Sequence, residues 1–361
     1  MRRPLVAVLA IVTALVAITG IGFVSLGGSG SSTVPLGTPT AAQIKIAVNG
    51  ISACAMEFDD RDYTCLSKAY PELALAVGPQ AVSAAFNQLR SKWPVLNILC
   101  HDPAHSMGAA VFKANGNVAE VIGNQDDTCQ GGYLHGAFDA WQETGPSRDA
   151  FVEVAKVCNT FRDNKGSICF DGLAHDLWLS YPDVRTVEKV CGVAASSESR
   201  YSCLSGISMQ MYAPAHGEPT NDISKSVTEI PVFCSSLREW APLPDIPFAQ
   251  PENPSILTAC LSSVPYPLAT LYVQSIDPKL IDPVLTPAGR QSFNQYLQGC
   301  ATVAIAADPN REYTLVECQA TLALYIMNLI PANPDLGAKY CRELFTDPAV
   351  NRCLTHVDSR R

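Results

Sequence analysis

Apolar residues recur at helical spacing along most of the chain. In the segment AVSAAFNQLRSKW, for example, Val82, Phe86 and Leu89 fall on one face of a helix. Several predicted helices begin with a cap residue followed by proline, as in Asp102-Pro103, because proline is tolerated in the first helical turn. Alternating strand patterns are scarce by comparison. The pattern therefore predicts an all-α protein.

The first 27 residues follow a different pattern, in which two charges precede an apolar run. After Arg2 and Arg3 come about 24 uncharged, mostly apolar residues, enough to span roughly 30 Å of hydrocarbon as a helix. We predict a signal anchor, a single transmembrane helix over 1–27, that holds the C-terminal domain outside the cytoplasm. The alternative is a cleaved signal peptide and a secreted protein. Residues 28–42, rich in Gly, Ser, Thr and Pro, predict a flexible linker.

All fourteen cysteines follow the linker, and an even number in an exported chain predicts disulfides rather than thiolate ligands. Read as consecutive pairs, they are 11, 29, 11, 12, 26, 18 and 12 residues apart. Four separations of 11 or 12 indicate one recurring unit, a helical hairpin with a disulfide across its mouth. The consecutive pairs are Cys54–Cys65, Cys100–Cys129, Cys158–Cys169, Cys191–Cys203, Cys234–Cys260, Cys300–Cys318 and Cys341–Cys353.

These hairpins predict an irregular array of disulfide-stapled helices, arranged like an α/α repeat or solenoid. Eight prolines between positions 214 and 254 interrupt the array, because such density suits a connector better than packed helices. We therefore predict a histidine-containing helical lobe at 43–212, a Pro-rich connector at 213–256 and a second helical lobe at 257–361.

Composition and charge exclude several classes of function. The 361 residues are 47% hydrophobic and 16% charged, so the chain can bury a sizeable core. A formal charge of −9 makes nucleic acid an unsuitable partner. No Gly-x-Ser-x-Gly stands before a helix, and no phosphate loop, dinucleotide fingerprint or Cys-x-x-Cys occurs. Whether the protein is an enzyme is left open by these patterns.

The motif Cys-x-x-Gly-x-x-X occurs three times, and position X holds His135, His175 and then Met209. Glycine and X are three residues apart and share a helix face, so the glycine leaves room for a metal, a ligand or another helix. His101 and His105 precede the first copy. We predict that these five side chains form a metal site. The carboxylates predicted to orient the imidazoles, or to act as a base, are Asp102, Asp139 and Asp176.

The donor types limit the metal that such a site would bind. Imidazole suits zinc, copper, iron and nickel, whereas a thioether suits copper(I), so Met209 favours copper over zinc. Against the site, Pro103 predicts a turn between His101 and the following helix. Two alternatives use the same positions differently. The motif is a packing device in a cell-surface scaffold with a protein partner, or it lines a haem or small-ligand pocket.

Overall fold

The computed structural model describes residues 34–54, 63–93, 96–124, 128–162 and 164–216, with scattered positions beyond residue 232. Throughout these residues the regular secondary structure is helical and no strand occurs, which confirms the all-α prediction. In the same part of the chain, no helix is long and apolar enough to span a bilayer. The predicted anchor at 1–27 lies outside the described residues, as does nearly all of the second lobe at 257–361.

Eleven α-helices follow one another in the described residues up to His216, with a 3₁₀ turn at Thr128–Gly131 before the seventh. They are α1 (Ala41–Ser52), α2 (Thr64–Val77), α3 (Pro79–Leu89), α4 (Leu96–Leu99), α5 (His101–Asn115), α6 (Val118–Gly123), α7 (Gly132–Gln142), α8 (Arg148–Cys158), α9 (Asn164–Ser180), α10 (Val184–Cys191) and α11 (Ser197–His216). The last helix therefore includes the first four residues of the predicted connector at 213–256.

Polar side chains cap several of these helices at their N-termini. Thr40 and Gln43 form a reciprocal capping box at α1, in which each side chain accepts a hydrogen bond from the other residue's backbone N–H. Ser147 caps α8 and Asp183 caps α10 through the same type of bond. A cap of this kind stabilises a helix by about 1 kcal/mol.

Five disulfides join cysteines in the consecutive order that the spacing predicts. Cys158 and Cys191 are the last residues of α8 and α10, and each is bonded to a cysteine in the following helix, as the hairpin unit requires. The five are Cys54–Cys65, Cys100–Cys129, Cys158–Cys169, Cys191–Cys203 and Cys234–Cys260. Cys341 is also disulfide-bonded. The remaining cysteines, Cys300, Cys318 and Cys353, lie outside the described residues, and the repeat or solenoid-like arrangement stays a prediction.

Helices α5, α7, α9 and α11 pack against one another in that order, and α2 packs against α5. Their apolar faces bury aromatic side chains completely, among them Phe138 on α7 and Phe170 on α9. Each such side chain contributes roughly 1.5–3 kcal/mol through removal of apolar surface from water. This packing order places α7, which carries His135, in contact with both α5 and α9, which carry the other three histidines of the predicted site.

Glycine allows α5 and α7 to cross at very short range. A Cβ atom at Gly132 would lie 2.5 Å from the carbonyl oxygen of His101, and one at Gly136 would lie 2.6 Å from the Cα of His105. Neither position could hold a side chain without a movement of backbone. The two helices therefore meet almost backbone to backbone at the level of these histidines.

Candidate metal centre

Four of the predicted ligands converge from three helices. His101 and His105 lie one turn apart on α5, His135 lies on α7 and His175 lies on α9. The ring centroids of His101 and His105 are 4.8 Å apart, those of His105 and His135 are 5.3 Å apart, and those of His135 and His175 are 5.1 Å apart. We refer to these four residues as the histidine cluster. Scattered histidines would have favoured a packing role for the motif. In the structure the four rings instead lie close together.

The sequence indicated that Pro103 would leave His101 in a turn before the helix. In the structure, His101 and His105 lie in the same helix. Helix α5 begins at His101, so Pro103 occupies its third position. A proline is tolerated in the first turn because the N–H groups there have no partner within the helix. His101 and His105 consequently share one helix face, and their Nε2 atoms lie 3.2 Å apart.

Hydrogen bonds on the outer side of both rings indicate which nitrogen carries the proton. The Nδ1 of His101 lies 2.9 Å from the backbone oxygen of Cys129, and the Nδ1 of His105 lies 3.1 Å from an oxygen of Asp139. Both acceptors require a proton on Nδ1. In the neutral form of each ring, a proton on Nδ1 leaves a lone pair on Nε2, and the two Nε2 atoms lie 3.2 Å apart within the cluster.

The backbone oxygen that accepts from His101 is held in place by the local fold. Cys129 adopts a left-handed backbone conformation with φ of 56°, which is uncommon for a residue other than glycine. Its side chain is bonded to Cys100, the residue directly before α5. The disulfide therefore ties the acceptor to the start of the helix that carries His101.

A carboxylate that the sequence analysis did not include lies beside the cluster. Oδ2 of Asp171 on α9 lies 3.4 Å from Nε2 of His135 and 3.9 Å from Nε2 of His175. The spacing Asp171-x-x-x-His175 places both side chains on one helix face. That spacing is a signal that could have identified Asp171 from the sequence.

Two groups of donors are close enough to hold an ion. One consists of His101, His105 and His135, and the other of His135, Asp171 and His175, with the candidate ligand atoms of each group within 4.8 Å of one another. His135 belongs to both groups. The structure thus contains more donors than one three-ligand site requires.

The glycine of the repeated motif has two roles. A Cβ at Gly172 would lie 2.7 Å from Cδ2 of His135, so this glycine leaves space for an imidazole. Gly132 and Gly206 instead lie against the backbone oxygens of His101 and Asp171. The motif therefore gives room to a ligand at one copy and brings helix backbones together at the other two.

The three predicted carboxylate partners differ in their surroundings. Asp139 is the hydrogen-bond acceptor of His105. Asp176 is buried, and burial together with the adjacent Asp139 carboxylate raises its pKa well above the usual range. Asp176 consequently keeps its proton. Asp102 is exposed, and in the described structure it is not one of the carboxylates bonded to the cluster. Asp171 lies beside the cluster together with Asp139.

Gln210 on α11 contacts the cluster. Its Oε1 lies 3.4 Å from Nδ1 of His175 and accepts a hydrogen bond from the N–H there, which leaves the lone pair on Nε2. Met209 is the adjacent residue and is partly buried. Its role as a thioether ligand stays a prediction.

Burial keeps two of the histidines uncharged at neutral pH. For His101, removal from water and repulsion from the neighbouring imidazoles lower the pKa to about 3, despite the bond to Cys129. Burial also lowers the pKa of His175, although Asp171 opposes the shift. Since a protonated imidazole cannot bind a metal, these low pKa values keep the donors available.

No protein-family model, curated protein or solved structure matches this chain.

Proposed function

We propose that this is an exported metal-binding protein whose histidine cluster holds a first-row transition ion. The ligands are Nε2 of His101, Nε2 of His105 and a ring nitrogen of His135. Asp139 and the backbone oxygen of Cys129 orient the first two rings from outside. Three protein ligands leave a fourth position for water or another small molecule, the coordination typical of catalytic rather than structural zinc sites.

The observation that carries this proposal is the separation of the two Nε2 atoms on α5. Two nitrogens bound to one tetrahedral ion at 2.0–2.1 Å lie about 3.3–3.4 Å apart. The 3.2 Å between His101 and His105 is close to that value. An ion held between the two nitrogens would account for their close approach.

Zinc(II) and copper(II) fit the donors best. All ligands in the first group are imidazoles, and the nearby Asp171 adds a carboxylate oxygen, which copper(I) binds poorly. The thioether of Met209 is the reason to favour copper over zinc, and its neighbour Gln210 contacts His175.

The five disulfides support an oxidising compartment outside the cytoplasm. Our proposal keeps the predicted topology, in which the segment 1–27 anchors the chain in the cell membrane and residues beyond 28–42 are extracytoplasmic. Secretion after cleavage of that segment remains the alternative. The scaffold with a protein partner and the haem or small-ligand pocket remain predictions that no described contact favours.

Metal analysis of the purified full-length chain, expressed in an oxidising compartment, tests the proposal. We expect stoichiometric zinc or copper in the wild type and at least about a 100-fold loss of affinity in His101→Ala and His135→Ala, beyond the 10–100-fold that an outer partner typically contributes. His356→Ala, outside the repeated motif, serves as the matched control and should keep the ion. A wild-type chain that contains no metal, and takes up neither zinc, copper, iron nor nickel, would show that the cluster is a packing feature.

A further inference from the structure

The site formed by His101, His105 and His135 is called the three-histidine site. The histidine cluster also contains two buried nitrogens that have no hydrogen-bond partner in the protein. Nε2 of His135 and Nε2 of His175 are both buried without a hydrogen-bond partner. Buried polar atoms in native proteins are nearly always paired, so an orphan needs an explanation. Two orphans side by side, on facing helices α7 and α9, point to a common missing partner.

Both nitrogens lie near the same carboxylate oxygen. Oδ2 of Asp171 is 3.4 Å from Nε2 of His135 and 3.9 Å from Nε2 of His175. These separations are too long for strong hydrogen bonds. Two ligands of one tetrahedral ion with bonds of 2.0–2.2 Å lie roughly 3.3–3.6 Å apart. The distance to His135 falls in that range, and the distance to His175 exceeds it by about 0.3 Å.

The surrounding contacts hold these three donors in place. Gln210 accepts a hydrogen bond from the Nδ1–H of His175, which leaves the lone pair on Nε2. Gly206 on α11 lies directly against the backbone oxygen of Asp171, so α11 supports α9 at this residue. The side chains of His135, His175 and Asp171 are 12%, 20% and 23% exposed, so all three donors are largely shielded from solvent.

We propose that His135 Nε2, Asp171 Oδ2 and His175 Nε2 form a second metal site, adjacent to the three-histidine site and joined to it through the ring of His135. The inference rests on the proposed function. The Cδ2–Nε2 edge of His135 faces α9, where Gly172 and Asp171 lie. The second site uses Nε2 of His135, so the ion bound by α5 would take Nδ1, the nitrogen on the other side of the ring.

When both sites are filled, each nitrogen of His135 binds one ion. The ring proton must then leave, and it is released to solvent as the second ion binds. Two ions on opposite nitrogens of one imidazole lie about 6 Å apart, given metal–nitrogen bonds of 2.0–2.1 Å. The carboxylates Asp139 and Asp171 and the deprotonated ring offset the charge of two divalent ions. Two imidazoles and a carboxylate suit Zn²⁺, Cu²⁺ or Fe²⁺ rather than copper(I).

The number of ions per chain tests this second site. After dialysis of the full-length wild-type chain against Zn²⁺, we expect two tightly bound ions. Asp171→Asn and His175→Ala should each bind one, and His101→Ala should bind one at the other site. His135→Ala should lose both. The control is Asp149→Asn, which removes the same charge from an exposed residue that pairs with Lys189 and should keep two ions. Circular dichroism of each variant verifies that the helices are retained.

Loading with Cu²⁺ adds a spectroscopic readout of the shared ring. Two copper ions joined by one imidazole couple magnetically, so the spin count from electron paramagnetic resonance should fall well below the copper content. The spin count should match the copper content in Asp171→Asn, where one ion remains. One ion per wild-type chain, lost in His101→Ala but retained in Asp171→Asn and His175→Ala, would overturn the second site and leave the proposed function intact. A chain that binds no ion at all would overturn both.

Discussion

Replacement of Gly136 by alanine separates the effect of helix propensity from the effect of helix packing. Gly136 lies inside α7, where alanine is favoured over glycine by about 1 kcal/mol on propensity alone. From the sequence, Gly136→Ala should therefore stabilise the protein. The structure leads us to expect the opposite sign, because the new methyl group would point at the backbone of α5.

The size of the effect follows from the distances. The added Cβ would lie 2.5 Å from the carbonyl carbon and 2.6 Å from the Cα of His105, and it would overlap the carbonyl oxygen. Carbon atoms pack at about 3.5–4.0 Å, so α5 and α7 must separate by about 1 Å. Overpacking of a core typically costs about 1–3 kcal/mol, and here the obstacle is backbone, which cannot rotate away. That places the cost at the upper end of the range, about 3 kcal/mol, and leaves a net loss of about 2 kcal/mol after the propensity gain of about 1 kcal/mol is subtracted.

Urea denaturation under non-reducing conditions measures the change in the free energy of unfolding. Gly123→Ala is the matched control, because a Cβ at Gly123, the last residue of α6, would have no atom within 4 Å. Its midpoint should stay the same or rise slightly. Metal affinity should fall in Gly136→Ala as well, since the same separation moves His105 away from His135. A midpoint for Gly136→Ala at or above that of the wild type would refute the close crossing of α5 and α7.

Three further predictions concern pH, disulfides and a buried hydroxyl. In metal-free protein, the unfolded chain protonates His101 below pH 6.5 while the folded chain resists until about pH 3, so stability should fall with decreasing pH across that range, by up to about 1.4 kcal/mol per unit. Urea midpoints in a chelator measure it, and an equal slope in His101→Gln would contradict the assignment. Loss of the 158–169 disulfide in the Cys158→Ser/Cys169→Ser variant should cost roughly 2–3 kcal/mol by the same assay, and an unchanged midpoint would argue against the clamp. Tyr70→Phe should raise stability by about 1 kcal/mol, because its buried hydroxyl has no hydrogen-bond partner; a loss of stability would show that the hydroxyl is bonded.

Helix content and disulfide pairing were predictable because both depend on local sequence. Amphipathic spacing and capping residues act within a few positions of one another, and a cysteine pair 11 or 12 residues apart fits one hairpin. The same locality explains the error at Pro103. A proline signals a helix start only to within a turn, and α5 begins two residues earlier than the proline, at His101.

The candidate site was predictable in part. The repeated motif identified His135 and His175, and His101 and His105 were added from their spacing; the structure brings all four together. The sequence analysis named Asp102, Asp139 and Asp176 and did not include Asp171, because all four lie within a few residues of a histidine or a motif cysteine. The four carboxylates differ in the direction they face around their helices and in how deeply they are buried. Both properties depend on how neighbouring helices pack.

The sequence by itself determined the helices, the hairpin disulfides and the set of histidines, since each depends on residues close together in the chain. Only the tertiary structure decided that Asp171 lies beside the cluster, that Gln210 on α11 contacts it, and that His135 belongs to two groups of donors. Those features depend on how α5, α7, α9 and α11 are rotated and spaced against one another. That rotation and spacing is set by contacts across helices, such as Gly136 against the backbone of His105, which no local pattern in the sequence encodes.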